Sequence, residues 1–239
     1  MRPEAVRPVL LGNHDPHNPF PDPEQADSNL IAVGGDLSRS RLLQAYAQGI
    51  FPWFGEGDPI LWWSPDPRGV LEPQKIHISH SLRKAARRLG WKVAMDRDFA
   101  GVVSACAAPR FGQGGTWITA EVQAAYLDLF VAGYAHSIEI YLDKKLVGGL
   151  YGVALGALFF GESMFSREPD ASKLALVLLA RHLEDWGFAL IDTQFLTPHL
   201  QNMGACEISR AEFLQRLTVL KKRAPAAPWK ITLPWGGLF

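Results

Sequence analysis

The chain has 239 residues, 48% of them hydrophobic and 20% charged, and its 24 basic residues equal its 24 acidic ones. Those proportions fit a globular protein and exclude a disordered one, while the longest apolar runs, 148–161 and 174–180, are too short or too glycine-broken to span a bilayer. Cys106 and Cys206 are too few for a disulfide framework, and the N-terminus lacks the apolar core of a secretion signal, so a cytoplasmic location with two reduced thiols is expected.

A proline-rich entry (Pro16, Pro19, Pro21, Pro23) leads to an apolar segment at 30–33 and a Gly34-Gly35 turn too short for a nucleotide-binding loop. Ser38 is placed to cap a helix over 39–48, with Leu42, Leu43 and Tyr46 on one face and Gly49 at its end. Aromatic segments at 51–54 and 60–63 follow. Pro65 and Pro67 then mark a boundary, giving a small N-terminal domain over 1–66 and a larger domain over 67–239. In the larger part, Ser79 or Ser81 caps a basic helix that runs to Gly90, residues 91–96 alternate as a strand, and helices are expected at 99–107 and 119–132. Strands at 137–142, 146–155 and 157–162 form a meander with turns at 143–145 and Gly156. A long helix over 170–186 stopped by Gly187, an apolar strand over 188–192 and two helical stretches complete the chain. Acetyltransferases of the GNAT type are built in that order. The fold class expected is therefore mixed α/β (α+β), with a GNAT-like C-terminal domain, and fold alone does not assign a reaction.

Neutral total charge conceals an asymmetry. Residues 68–97 carry eight Lys or Arg against Glu72 and Asp96, whereas 15–36 carry five acids and no Lys or Arg; local field decides where a polyanion docks. On a helix, Arg83, Lys84, Arg87 and Arg88 share one side, flanked by Arg68, Lys75, His77 and Lys92, with no acid between 83 and 88. That pattern suits phosphate contacts; a solvated helix face is the alternative. His77 and His80 lack further ligands at metal spacing, so no metal is expected. Trp53, Trp62 and Trp63 either stack nucleic-acid bases or pack the two domains together. An acyl-CoA enzyme needs bare, glycine-rich amides at the start of the long helix, and 161–172 does not supply them. The acyl donor expected is something other than a CoA thioester.

Seven segments in order, LIAVGGDL (30–37), GIFPW (49–53), LWWSPDPR (61–68), GTWI (115–118), LVGGLYG (146–152), FGESMFSR (160–167) and DTQ (192–194), make the chain resemble the leucyl/phenylalanyl-tRNA–protein transferases over about residues 19–216. The tails, 1–18 and 217–239, carry no resemblance. The resemblance implies a cytoplasmic aminoacyltransferase, monomeric and without metal, cofactor or membrane. It takes Leu-tRNA and Phe-tRNA, less well Met-tRNA, as donors. The residue goes to the N-terminal Lys or Arg of acceptor proteins, which are thereby marked for N-end-rule degradation. The chemistry is aminolysis of an ester. A free α-amine has a pKa of about 7.7 to 8.0, so positioning, one proton acceptor and an oxyanion partner matter more than a strong base.

Site residues follow from the same resemblance. Asp192 and Gln194 are implied as the catalytic pair, the carboxylate orienting a glutamine whose carbonyl receives the amine's proton; on the residues alone, a helix cap and a surface glutamine are the favoured reading, which the resemblance reverses. Glu162 is implied to contact the aminoacyl-adenosine end, and Met164, Phe165 and Trp117 to line the donor side-chain pocket, where each is otherwise a core residue or strand end. Glu139, Glu162 and Asp192 are the acids available to read a basic acceptor. Arg83, Lys84, Arg87, Arg88 and Lys75 form the tRNA footprint. Two other classes stay open: an acyl-CoA transferase, which would be retained on CoA-agarose, and a non-catalytic RNA-binding module, which would not require a carboxylate–amide pair in an apolar strand.

Overall fold

The computed structural model describes residues 7–12, 19–88, 90–109 and 116–239; Asp15, Pro16 and Gly115, used above, lie outside the described residues. Two sheets organise the chain. The smaller contains β1 (Val9–Leu11), β2 (Leu30–Gly34), β3 (Phe51–Pro52) and β4 (Leu61–Trp63), in the order β1-β2-β4-β3. Between β2 and β3 runs α1 (Arg39–Tyr46), whose first turn is capped by the Ser38 hydroxyl accepting from the Arg41 amide.

The larger sheet has seven strands: β5 (Arg68–Leu71), β6 (Lys92–Met95), β7 (Ala135–Leu142), β8 (Lys145–Leu155), β9 (Leu158–Ser166), β10 (Leu190–Gln194) and β11 (Cys206–Ile208). Their order is β11-β5-β10-β9-β8-β7-β6. The β9–β10 pair is parallel and its neighbours are antiparallel. A parallel pair needs a crossover, and α5 (Ala171–Asp185) supplies it. The remaining helices are α2 (His80–Ala86), α3 (Phe99–Ala107), α4 (Ala120–Val131), α6 (Pro198–Asn202) and α7 (Arg210–Leu220).

The expected order of elements from 92 to 194 is present, and the chain as a whole departs from expectation in three respects. Strands β5 and β11 extend the sheet beyond β10 and were not legible. β9 continues to Ser166, four residues past its expected end, because β8 pairs with it as far as Gly148↔Ser166. The basic helix stops at Ala86 instead of reaching Gly90: the indole N–H groups of Trp91 and Trp235 donate to the Ala85 and Ala86 carbonyls, both at 2.9 Å, and cap the helix end.

Apolar packing joins the two sheets. Ile31, Tyr46 and Trp62 belong to one buried cluster with Tyr126, Phe160 and Phe213, while Leu150, Phe159, Leu174 and Leu178 form the core beneath α5. Helix α5 lies so close to β8 that a Cβ on Gly148 would sit 2.5 Å from the Ala171 Cβ. Arg210, 8% exposed, ties α7 to the small sheet through Ser28 O at 3.0 Å, Ser64 O at 2.9 Å and Ala26 O at 2.7 Å. Arg39 and Asp128 also bridge the two parts, but both are exposed and contribute little. No helix among the described residues is long and apolar enough to cross a membrane.

Arg210→Met keeps the length of the side chain and removes its fork, leaving three carbonyls short of a donor. Denaturant unfolding should show a loss of about 2 to 4 kcal/mol; a loss under about 0.5 kcal/mol would show that α7 does not depend on this tie.

Candidate active site where two strands part

Strand β10 pairs with β9 only through Leu190↔Leu158, Ile191↔Phe159 and Asp192↔Phe160. Beyond that point β9 runs on against β8 alone, and the gap opens into a cavity of about 1530 Å³. Both strands bulge there. The β8–β9 register passes from Tyr151↔Ser163 to Gly152↔Gly161, which leaves Glu162 as the extra residue. The β5–β10 register passes from Val70↔Asp192 to Gly69↔Gln194, which leaves Thr193 extra. A bulge bends its strand and re-aims the side chains beside it.

Asp192 sits at the base of the gap with 0% exposure and does not line the cavity. Arg68, itself 1% exposed, grips it with two parallel bonds, Nε to Oδ1 at 2.8 Å and Nη2 to Oδ2 at 2.6 Å. The third guanidinium arm donates to the Gly49 carbonyl at 3.0 Å, and the guanidinium carbon lies 4.4 Å from the Phe213 ring centre and 5.0 Å from that of Phe51. Asp192 Oδ1 also accepts from the backbone N–H of Gln194 at 3.0 Å. The carboxylate therefore orients the glutamine through its backbone. Gln194 takes φ of 57°, a left-handed conformation that costs a non-glycine residue of the order of 1 kcal/mol or more, and this bond holds it there. Its side chain lines the cavity at 8% exposure, with Nε2 lacking a partner among the described residues. The helix-cap and surface readings of these two residues do not describe their positions.

Glu162 lines the opposite wall. The Tyr46 hydroxyl on α1 lies 2.7 Å from Oε1, the Tyr126 hydroxyl on α4 lies 2.7 Å from Oε2, and the two hydroxyls are 2.6 Å apart. Burial pushes the carboxyl pKa up to about 7, the neighbouring Asp192 charge adding to the rise, while the two tyrosine bonds and Arg68 oppose it. Both phenols are raised well above their ordinary value, chiefly by burial.

Met164, Phe165 and Trp117 line the same cavity, as expected of a pocket, and so do Leu176, Leu179 and Ile191, which read in sequence as ordinary core. Thr193 Oγ1, Tyr151 OH and His199 Nε2 are further buried atoms on its wall without a partner among the described residues. At the rim Trp53 is 45% exposed, its ring 5.6 Å from that of Phe195, whereas Trp62 is buried packing. Glu56 and Asp58 complete the acidic lining.

Glu139 is not brought to the cavity. It is buried on β7, accepting from the Ser137 hydroxyl at 2.6 Å and from the amides of Arg97 and Asp98 ahead of α3 at 3.4 and 3.3 Å. Its bonds are spent on a loop. Arg83 and Lys84 are exposed on α2, while Arg87 caps the helix and Arg88 follows it, 3.4 Å from Glu168. Lys75 pairs with Glu72 at 2.7 Å. At the start of α5 the Ala171 amide donates to Glu168 O and the Ser172 amide to the Ser166 hydroxyl, each at 3.2 Å.

A raised carboxyl pKa means that folding favours the protonated form. The contribution of Glu162 to stability is full below its ordinary pKa of 4.5 and is lost as pH rises through about 7. Glu162→Gln should accordingly flatten the fall in unfolding free energy between those two pH values, followed by denaturant titration at each pH. An unchanged slope would contradict the raised pKa.

Residues 70–218 match the family described as leucyl/phenylalanyl-tRNA protein transferase, and residues 35–66 match that family's N-terminal domain. The leucyl/phenylalanyl-tRNA–protein transferase of Thiobacillus denitrificans is 60% identical over 204 residues, covering 84% of this chain and 90% of its own. That of Alkalilimnicola ehrlichii is 53% identical over 92% of this chain and 87% of its own. Among solved structures, a GCN5-related N-acetyltransferase from Kribbella flavida is similar with a TM-score of 0.36, at 10% identity over 74% of this chain and 63% of that one. The chain belongs to the leucyl/phenylalanyl-tRNA protein transferase family of aminoacyltransferases.

Proposed function

We propose that the protein transfers leucine or phenylalanine, and methionine less well, from aminoacyl-tRNA to the N-terminal Lys or Arg of acceptor proteins, and so marks them for N-end-rule degradation. It does so as a cytoplasmic monomer that needs no metal or cofactor. The observation that carries the reading is one cavity whose apolar wall is Trp117, Met164, Phe165, Leu176 and Leu179 and whose polar wall is Glu162 and Gln194.

The donor's side chain occupies the apolar end. Met164 is unbranched and adapts to an aliphatic or an aromatic guest. Such a sieve separates neighbouring side chains by only about 1 to 3 kcal/mol, which is why methionine leaks through. The acceptor's amine approaches the ester from the polar wall, where Gln194 accepts one of its N–H bonds and Asp192 acts from behind by fixing the Gln194 backbone. Glu56 and Asp58 at the rim supply the negative potential that a basic N-terminus needs. Trp53 at the rim offers a stacking face for a terminal base, and the exposed Arg83, Lys84, Arg87, Arg88 and Lys75 hold the tRNA backbone. An ester carrier is favoured over CoA by the start of α5, where two amides that would cradle a pyrophosphate are spent within the protein.

Labelled Phe-tRNA mixed with peptides beginning with Lys, Arg or Ala tests the reading. Transfer is expected to the first two and not the third; equal transfer to all three, or to none, contradicts it. Arg83→Glu with Lys84→Glu should raise KM for tRNA and weaken its salt dependence while leaving KM for the peptide unchanged. An unchanged salt slope would remove the footprint.

A further inference from the structure

The contacts around Glu162 close into a triangle. Tyr46 OH to Tyr126 OH is 2.6 Å, Tyr46 OH to Glu162 Oε1 is 2.7 Å and Tyr126 OH to Glu162 Oε2 is 2.7 Å. Three oxygen pairs at these separations need three bridging hydrogens, and two phenols own only two. If both phenols donate to an ionised carboxylate, nothing lies between the two hydroxyl oxygens, and they face one another lone pair to lone pair at 2.6 Å. One further proton on the carboxyl group resolves the conflict. The carboxylic O–H then donates to one phenol, that phenol to the other, and the second back to the free carboxyl oxygen, in either sense around the ring. Each member donates once and accepts once.

The surroundings agree with a neutral acid. Tyr151, the third phenol near the site, also has a strongly raised pKa, mainly through burial and next through the charge of Glu162. Asp192 carries a charge of the same sign as an ionised Glu162, and Arg68, the cation that acts on Glu162 among the described residues, already has both its parallel bonds on Asp192. Tyr46 bonds the carboxyl group from α1 and Tyr126 from α4, while Tyr151 on β8, Asp192 on β10 and Arg68 on β5 interact with it through charge alone. None of them offers Glu162 an uncommitted positive charge.

We propose that Glu162 enters the reaction as a neutral carboxylic acid, stored in the ring with Tyr46 and Tyr126, and is the general acid that protonates the departing ribose oxygen. This rests on the transfer reaction proposed above. The acceptor nitrogen forms its bond to the ester carbonyl, and the C–O bond to ribose breaks. Glu162 gives its proton to that oxygen, so the tRNA leaves as an alcohol rather than an alkoxide. The attacking nitrogen loses one proton, and the Glu162 carboxylate takes it, which restores the acid. No oxidant, metal or further reactant is required. Tyr46 and Tyr126 are positioning residues: they hold the carboxyl group at the cavity wall without touching the reacting atoms.

Glu162→Gln tests this with the ring preserved, since its amide can donate to one phenol and accept from the other. Single-turnover transfer from labelled Phe-tRNA to a Lys peptide should fall roughly 100-fold or more in rate, with KM for both substrates changed less than about threefold. In the parent enzyme the rate should decline as pH rises through about 7, and that decline should be absent from the residual rate of the variant. Infrared difference spectra of the parent below pH 7 against Glu162→Gln should show a neutral-carboxyl C=O band, a readout that does not depend on turnover. Tyr126→Phe should lower the rate while leaving both KM values in place. A Glu162→Gln rate within about threefold of the parent, or no neutral-carboxyl band, overturns the inference. Absence of any transfer by the parent enzyme would instead overturn the functional reading on which it rests.

Discussion

A guanidinium and a carboxylate buried together govern where the regular pairing of the seven-stranded sheet gives way to a cavity. Arg68 and Asp192 are 124 residues apart in sequence and meet at the end of β10 with almost no exposure to water. Taking two charges out of water is costly, and such a pair is tolerated only when the remaining hydrogen-bonding capacity is filled. Here it is: Arg68 reaches Gly49 O and rests on the rings of Phe51 and Phe213, and Asp192 takes the Gln194 amide. The pair thereby joins the small sheet, α7 and the functional strand. Its net contribution to stability is small beside its effect on geometry, since an apolar pair of the same shape packs as well, but no apolar pair accepts the amide that holds Gln194 in its left-handed turn.

From that turn the rest of the site follows. β10 leaves the sheet after Asp192, β9 is left without a partner on that side, and the two bulges aim Glu162 and Thr193 differently from their neighbours. The polar wall is thus made of backbone irregularities, while the apolar wall is made of regular elements, α5 and β9, whose side chains read as core until the strands part. Regular elements supply most of the apolar lining, and irregular backbone carries Glu162, Thr193 and Gln194; on the proposed function, the first would hold the donor side chain and the second the reacting groups. That division suits a reaction in which positioning does most of the work.

Much of the fold was legible. Alternation over 137–155 and the Gly156 turn mark the meander, Ser38 and Ser79 cap the helices for which they were candidates, and Thr119, expected as the first residue of its helix, caps it instead. β5 escaped because four residues between prolines show no period, and β11 because three residues are too few to alternate visibly. Arg68 read as one more base in a basic stretch, since sequence does not reveal that its partner lies on a strand far along the chain. Tyr46 was counted among the apolar residues of its helix; a phenol in such a stripe needs a partner for its hydroxyl, and that signal pointed to a buried acceptor. Glu139 was counted with the acids of the site, but which face of β7 carries it depends on register and on the loop before α3, neither of which composition encodes.

The central claim is that Asp192 works by holding Gln194, with Arg68 as its equal partner, and not by taking a proton itself. A double-mutant cycle on the transfer rate, using Arg68→Met, Asp192→Leu and the two together, tests it most directly. Dependence on the pair as a unit predicts that each single change lowers the rate severely and that the double variant, though stable because no buried charge is left alone, is no slower than either. Additive losses, or an Arg68→Met enzyme within about threefold of the parent rate, would contradict it.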